Sequence, residues 1–123
     1  MGFFDFLKPK THPVELTSEN LKPSVDNSPL PVLVDFYSTS CGPCQQTART
    51  VTKFATDFKN EVRVGMFNIE NENSGKILRQ YEIRSVPTLI FFINGAPVER
   101  FNGLTGYLKL KDALKKINNQ KKK

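Results

Sequence analysis

The chain has 123 residues, of which 38% are hydrophobic, and its formal net charge is +6 at pH 7. This length and composition fit one compact domain and leave little chain for a second. No apolar run approaches the ~20 residues of a membrane-spanning helix, and two cysteines with one histidine argue against a zinc site, which takes about four ligands.

The first 13 residues are predicted to be an N-terminal extension. Its apolar side chains are Phe3, Phe4, Phe6 and Leu7. The segment starts without a basic region and carries Asp5, its apolar part is too short, and no small-residue cleavage site follows, which argues against a secretory signal. Phe6 stands where N-myristoylation requires Ser or Thr. We expect a frayed terminus or a small apolar flap, with weak docking to a membrane or partner as the alternative. His12 is expected to be exposed.

The domain is predicted to span residues 14–118. It begins with a strand over 14–16 and a helix that reaches about residue 25, capped by Thr17 or Ser18. After a break at 27–31, residues 32–37 have the composition of a strand buried on both faces. Asp35 is the one charge in this strand, and burying a charge is costly, so its presence needs a reason.

The only two cysteines follow this strand, at the start of a helical pattern. Apolar residues recur at steps of four and three, at Cys44, Ala48, Val51, Ala55 and Phe58. Cys41 is therefore predicted at the mouth of a helix, where unpaired N–H groups and the helix dipole favour its thiolate.

Two cysteines at this spacing can close a small disulfide, and Pro43 suits the turn between them. Cys44 would then resolve a mixed disulfide formed by Cys41. The spacing alone is also found in zinc half-sites, haem attachment and structural pairs. Gln45 excludes a c-type haem, which requires histidine at that position.

The rest of the chain continues the alternation of strands and helices. We predict a strand over 62–69, a short helix over 74–81, and strands over 89–93 and 98–101 that are joined by a tight hairpin at Asn94-Gly95. A last helix, capped by Thr105, turns Tyr107, Leu110, Leu114 and Ile117 toward the sheet. Residues 119–123 form a basic tail that we expect to be solvated. The predicted order is βαβαβαββα, with Cys41 at the carboxyl end of the central strand.

This sequence resembles the thioredoxin family over about residues 14–117. The motifs that carry the resemblance are Asp35-Phe36-Tyr37, Cys41-Gly42-Pro43-Cys44, Val86-Pro87-Thr88 and Gly103. The resemblance implies an α/β thioredoxin fold, in which a central mixed β-sheet is flanked by helices on both faces.

The resemblance also implies roles for individual residues. Cys41 is the attacking thiol, Cys44 is the resolving thiol, and Asp35 is the buried carboxylate that accepts the proton of Cys44. The alternative for Asp35 is a hydrogen-bonded core carboxylate without a proton-transfer role. A cis bond before Pro87 would bring the Val86 backbone against the disulfide. The implied substrate-binding residues are Ser40, Gly42, Pro43, Val86, Pro87 and Gly103.

The chain departs from the family pattern at several positions. Ser40 replaces the usual tryptophan, Arg49 replaces the usual helix-kinking proline, and the segment 71–76 is slightly longer than usual. Met66 replaces a lysine that normally lies near the buried aspartate, which should favour the neutral form of Asp35. These departures leave the reacting atoms in place but affect the choice of partner and the reduction potential.

We therefore predict a thioredoxin-type protein-disulfide reductase that uses a Cys41/Cys44 dithiol–disulfide cycle, with no cofactor and no metal. The expected partners are disulfide-containing proteins and an NADPH-dependent thioredoxin reductase or similar dithiol donor. We expect a cytoplasmic monomer that binds no nucleic acid and does not insert stably into membranes. The alternatives are a non-catalytic module that binds proteins at the Pro87 edge, and a more oxidising exchanger or isomerase.

Overall fold

Strands and helices alternate along the chain in the order predicted from the sequence. A computed structural model describes residues 13–121; the apolar N-terminal segment, His12 and the last two lysines lie outside the described residues. The elements are β1 Val14–Leu16, α1 Leu21–Asp26, β2 Val32–Tyr37, α2 Gly42–Asp57, β3 Arg63–Asn68, α3 Gly75–Gln80, β4 Thr88–Ile93, β5 Ala96–Asn102 and α4 Tyr107–Lys121.

The five strands form one mixed sheet in the order β1-β3-β2-β4-β5. β3 pairs in parallel with both β1 and β2, whereas β4 is antiparallel to β2 and to β5. The predicted hairpin between β4 and β5 is confirmed, since Asn94 and Gly95 have φ values of 51° and 82°. β2 is therefore the central strand, and its carboxyl end leads directly to the cysteines.

Each face of the sheet is covered by helices, as the family resemblance implies. On one face, Val34 and Phe36 of β2 pack in a cluster with Leu21 of α1 and Ile77 of α3. On the other face, the core residues come from β2, α2 and α4 and include Leu33, Val51, Phe54, Leu110 and Leu114. Side chains alternate between the faces of a strand, so Asp35 lies on the face that α2 covers.

Of the two predicted helix caps, that of Thr17 is present and that of Thr105 is wrong. Thr17 caps the turn that leads into α1: its hydroxyl accepts from Asn20 N at 3.1 Å, Thr17 N donates to Asn20 Oδ1 at 2.7 Å, and its carbonyl accepts from Leu21 N at 3.0 Å. The regular helix then begins at Leu21, with Asn20 at its N-cap. The Thr105 hydroxyl donates to the Gly103 carbonyl at 2.9 Å instead of accepting from α4, which begins at Tyr107.

Candidate active site

The two cysteines lie where β2 gives way to α2. Cys41 is the N-cap of α2, and Pro43 occupies its first turn, where a missing N–H costs nothing. The cysteines form a disulfide, with their Cα atoms 5.2 Å apart. Cys41 is half-buried, whereas Cys44 is only 2% exposed. A partner molecule can therefore reach the sulfur of Cys41 first.

The sulfur of Cys41 lies among backbone dipoles. It accepts a hydrogen bond from Cys44 N at 3.1 Å and lies 3.8 Å from the carbonyl oxygen of Val86. Amides at a helix N-terminus stabilise negative charge on a sulfur that they face. The predicted position of Cys41 at a helix mouth is confirmed.

The loop between β2 and α2 is held by Glu70, which sequence reasoning missed. Thr39 donates to Glu70 Oε1 from its backbone N at 3.1 Å and from its hydroxyl at 3.0 Å. Both bonds lower the pKa of Glu70, and the bond from the Thr39 backbone contributes more than the bond from its hydroxyl. Parallel pairing brings Tyr37 opposite Asn68, so the residues just after two neighbouring strand ends meet. The position of Thr39 and Glu70, each just after the end of a neighbouring strand, was the sequence signal that could have predicted this contact.

Asp35 is fully buried, and neither of its carboxylate oxygens has a hydrogen-bond partner. Burial raises its pKa from the ordinary 3.8 to about 7, and the negative charge of Glu15 adds to the rise. Met66 pairs with Asp35 across the β2–β3 ladder and brings no charge. The predicted preference of Asp35 for its neutral form is confirmed in direction.

Glu15 is a second acidic residue near the site that sequence reasoning missed. It lies opposite Met66 on β1, as Asp35 does on β2, so the three side chains share one face of the sheet. Its Oε1 accepts from the Tyr37 hydroxyl at 2.7 Å. Burial is the main cause that raises the pKa of Tyr37, and the hydrogen bond to Glu15 is the second. The Tyr37 hydroxyl therefore keeps its proton and donates a hydrogen bond to Glu15.

Thr47 adds a buried hydroxyl beneath the disulfide. Because α2 connects two parallel strands, it runs back along β2, so its residues nearer to Cys44 lie nearer to the carboxyl end of β2. Thr47 belongs to the buried stripe of α2 with Val51 and Phe54. It is fully buried, and its hydroxyl has no hydrogen-bond partner, unlike the hydroxyl of Thr52, which donates to Ala48 O at 2.8 Å.

The predicted substrate edge lies on the other side of Cys41. The Val86–Pro87 peptide is cis, as predicted. Gly103 N donates to the Pro87 carbonyl at 2.7 Å, and the Thr88 hydroxyl donates to Ser85 O at 2.7 Å. The structure thus brings Val86 to Cys41 and Gly103 to Pro87.

The other three predicted substrate-binding residues surround the nucleophile. Ser40, Gly42 and Pro43 are exposed on the loop and first turn that carry Cys41. With Val86 and Gly103 they form an accessible surface around the sulfur, which suits contact with another protein.

Residues 13–121 contain neither a metal-binding group of side chains nor a membrane-spanning helix. No three Cys, His, Asp or Glu side chains are grouped there to hold a metal ion. None of the helices in this part of the chain is long and apolar enough to cross a membrane.

Known proteins share this sequence and architecture. The family model for thioredoxin matches residues 12–116. A thioredoxin from Griffithsia pacifica is 39% identical over 92 residues, which are 75% of this chain and 83% of that protein. The chain belongs to the thioredoxin family. The structure of a mutant thioredoxin from Halobacterium salinarum NRC-1 has a TM-score of 0.76 at 30% identity, covering 89% of this chain and 93% of that one.

Membership of the thioredoxin family assigns the chemistry of the cysteine pair. The protein is a thioredoxin-type thiol–disulfide oxidoreductase, with Cys41–Cys44 as its redox-active disulfide. The family implies a reductase and disulfide substrates as partners. A bifunctional thioredoxin reductase/thioredoxin of Mycobacterium leprae is 33% identical over 93 residues, which are 76% of this chain and 20% of that protein.

Proposed function

We propose that this thioredoxin-family protein reduces disulfides of other proteins, with Cys41 as the nucleophile and Cys44 as the resolving thiol. The observation that carries the assignment is the difference between the two sulfurs. That of Cys41 is accessible and accepts from Cys44 N, whereas Cys44 is buried. Only the accessible, amide-stabilised sulfur is suited to attack a large substrate.

The reaction proceeds in two exchanges. The Cys41 thiolate attacks one sulfur of the substrate disulfide, so that a mixed disulfide forms and the other substrate sulfur leaves as a thiolate. The Cys44 thiolate then attacks the Cys41 sulfur and releases the second substrate thiolate. Two electrons pass to the substrate, and the Cys41–Cys44 disulfide remains in the protein.

Asp35 is proposed to accept the proton that Cys44 loses before the second exchange. It lies on the face of β2 that α2 covers, and its pKa of about 7 suits a base that works near neutral pH. A carboxylate kept buried without a partner costs stability, so a role in proton transfer explains why it is there.

The substrate is proposed to bind along the surface around Cys41. An extended strand of the substrate would pair with the backbone of Val86 beside Pro87, and it would contact Ser40, Gly42, Pro43 and Gly103. Backbone pairing accepts many sequences, which fits a reductase of many proteins.

The proposed setting is the cytoplasm, where the protein is a monomer with a domain over 14–118, an extension before it and a basic tail after it. An NADPH-dependent thioredoxin reductase, or a similar dithiol donor, returns the disulfide to the dithiol. Turnover with a purified reductase of this kind tests that partnership directly. A glutathione equilibrium that favoured the dithiol even under oxidising conditions would point to an exchanger or isomerase.

Insulin reduction by the reduced protein tests the roles of the cysteines. When a small dithiol is supplied to regenerate the reduced form, wild-type protein should precipitate the insulin B chain with turnover, and Cys41→Ser should abolish it. Cys44→Ser should instead accumulate a covalent adduct with insulin, detected by mass spectrometry, because the first exchange occurs and the second cannot. Turnover by Cys41→Ser would refute the assigned nucleophile.

Asp35→Asn tests the proton acceptor. In the wild type, the rate at which the mixed disulfide resolves should rise with pH through about 7, as Asp35 loses its proton. The Asn variant should resolve more slowly at neutral pH and lack this rise. Stopped-flow measurement of substrate thiol release gives the rate, and an unchanged profile would remove Asp35 from the mechanism.

A further inference from the structure

A polar cleft adjoins the proposed substrate edge and takes no part in the cysteine chemistry. It has a volume of about 370 Å³ and is lined by Glu82, Arg84, Ser85, Arg100 and Asn102. Ser85 directly precedes Val86, and Asn102 directly precedes Gly103. The cleft therefore begins where the surface around Cys41 ends.

Arg100 presents a positioned guanidinium to this cleft. It donates to the carbonyl of Tyr81, the C-cap of α3, and to the carbonyl of Glu82 at 3.4 Å. A guanidinium has five N–H donors in a rigid plane, and these contacts use only two of them. The remaining donors are held in a fixed orientation at the cleft.

Arg84 provides a second guanidinium, which forms only a weak, exposed ion pair with Glu82. Its Nη2 lies 3.5 Å from Glu82 Oε1, and the two side chains are 85% and 72% exposed. Ion pairs this exposed contribute little to stability, so another carboxylate can replace Glu82 at little cost.

We propose that the cleft between Arg84 and Arg100 binds an acidic side chain of the protein substrate, close to the disulfide that is reduced. This inference rests on the proposed function. Arg84 lies only two residues before Val86, so a substrate strand that pairs with Val86 carries its neighbouring side chains past the cleft. Arginine binds carboxylates through paired N–H donors, which favours Asp or Glu over neutral or basic residues.

The test uses three synthetic peptides, each with one cysteine that carries a coloured aromatic thiol as a mixed disulfide. The peptides differ only at the residue two positions from this cysteine, which is Glu, Gln or Lys. A second set places the variable residue on the other side of the cysteine, since the peptide can pair in either direction. Release of the thiol by the reduced protein gives the second-order rate constant. In one set, the Glu peptide should react about fivefold faster than the Lys peptide at low salt, with Gln between them.

Charge variants show where this preference arises. Arg84→Gln and Arg100→Gln should each lower the Glu-to-Lys rate ratio toward one, and Arg84→Glu should reverse it. Arg84 is exposed and does not support the fold, so its variants keep the test valid if loss of the Arg100 contacts unfolds the protein. Lys116→Gln is the matched control, because it removes the same charge from a different cleft, on α4.

The outcomes separate this inference from the proposed function. Equal rates for all peptides in both sets would overturn the inference while leaving disulfide reduction intact. An equal loss of preference in Lys116→Gln would also overturn it, because the preference would then come from the overall positive charge. Absence of reaction with every peptide would instead refute the proposed function.

Discussion

At the scale of single residues, buried polar groups without partners are found near the redox centre. Among the buried side-chain atoms of residues 13–121, both oxygens of Asp35 and the hydroxyls of Thr47 and Ser24 lack a hydrogen bond. Ser24 is on α1, whereas Asp35 and Thr47 lie in the layer between β2 and α2, and Thr47 follows the buried Cys44 by three positions along the helix. The protein thus gives up stability where its proposed proton transfer occurs.

Thr47→Val should stabilise the protein by about 1 kcal/mol, because valine keeps the shape of threonine and removes a buried hydroxyl without a partner. The free energy of unfolding in urea measures this change. Thr52→Val is the matched control on the same helix. Its hydroxyl is exposed and bonded to Ala48 O, so we expect no stabilisation from its loss. A Thr47→Val variant less stable than wild type would show that the hydroxyl has a partner, such as an internal water.

At the scale of elements, two local structures position the site. The N-terminus of α2 holds Cys41, and the β4–β5 hairpin sets the register that places Asn102 opposite Thr88 and Gly103 beside Pro87. The hairpin depends on Asn94 and Gly95, whose positive φ angles match the twist of a two-residue turn.

Gly95→Ala should therefore destabilise the protein by about 2 kcal/mol. Alanine is strained at a φ of +82°, and its Cβ would clash with the carboxylate of Asp26 on α1. Thermal or urea unfolding measures the loss. At Gly106, which has open space and no positive φ, the same substitution should cost about 1 kcal/mol or less, because alanine loses only the preference of a helix N-cap for glycine. Similar effects at both positions would contradict this explanation.

At the scale of the whole molecule, the site occupies one end of a sheet that is covered on both faces. The two helical layers exclude water from the middle of β2. This burial is the main reason why the Asp35 carboxyl resists ionisation. The stability of the protein should consequently depend on pH in a direction opposite to that of a salt-bridged aspartate.

The free energy of unfolding should fall as pH rises from about 4 to about 7. In this range the unfolded chain has released the Asp35 proton, since the ordinary pKa is 3.8, whereas the native state still holds it. The native state binds more protons, so raising the pH favours unfolding, by a total on the order of 4 kcal/mol.

Asp35→Asn has no proton to lose, so it should gain stability relative to wild type over the same range and hold a constant advantage above about pH 7. Urea unfolding of both proteins at several pH values provides the comparison. A difference that did not vary with pH would show that Asp35 ionises normally in the native state.

Sequence alone was sufficient for the features that depend on local patterns. Apolar runs, alternating stretches and helical stretches predicted all the elements from β1 to α4, and Asn94-Gly95 predicted the hairpin. The motif around Cys41 and Cys44 predicted the helix mouth and, with the other quoted motifs, the family. The error at Thr105 is also local, because a hydroxyl that can cap a helix can equally well bond within a neighbouring turn.

Only the tertiary structure decided which distant residues surround the redox centre. The parallel register of β1, β2 and β3 places Glu15 and Asp35 at the same height in the sheet, and it brings Glu70 within hydrogen-bond distance of Thr39. Arg100 meets Arg84 at one cleft because β5 returns beside β4 near the end of α3. Parallel pairing joins residues tens of positions apart, and the choice of neighbouring strands depends on how whole layers pack, so a local pattern predicts each strand but not its partner.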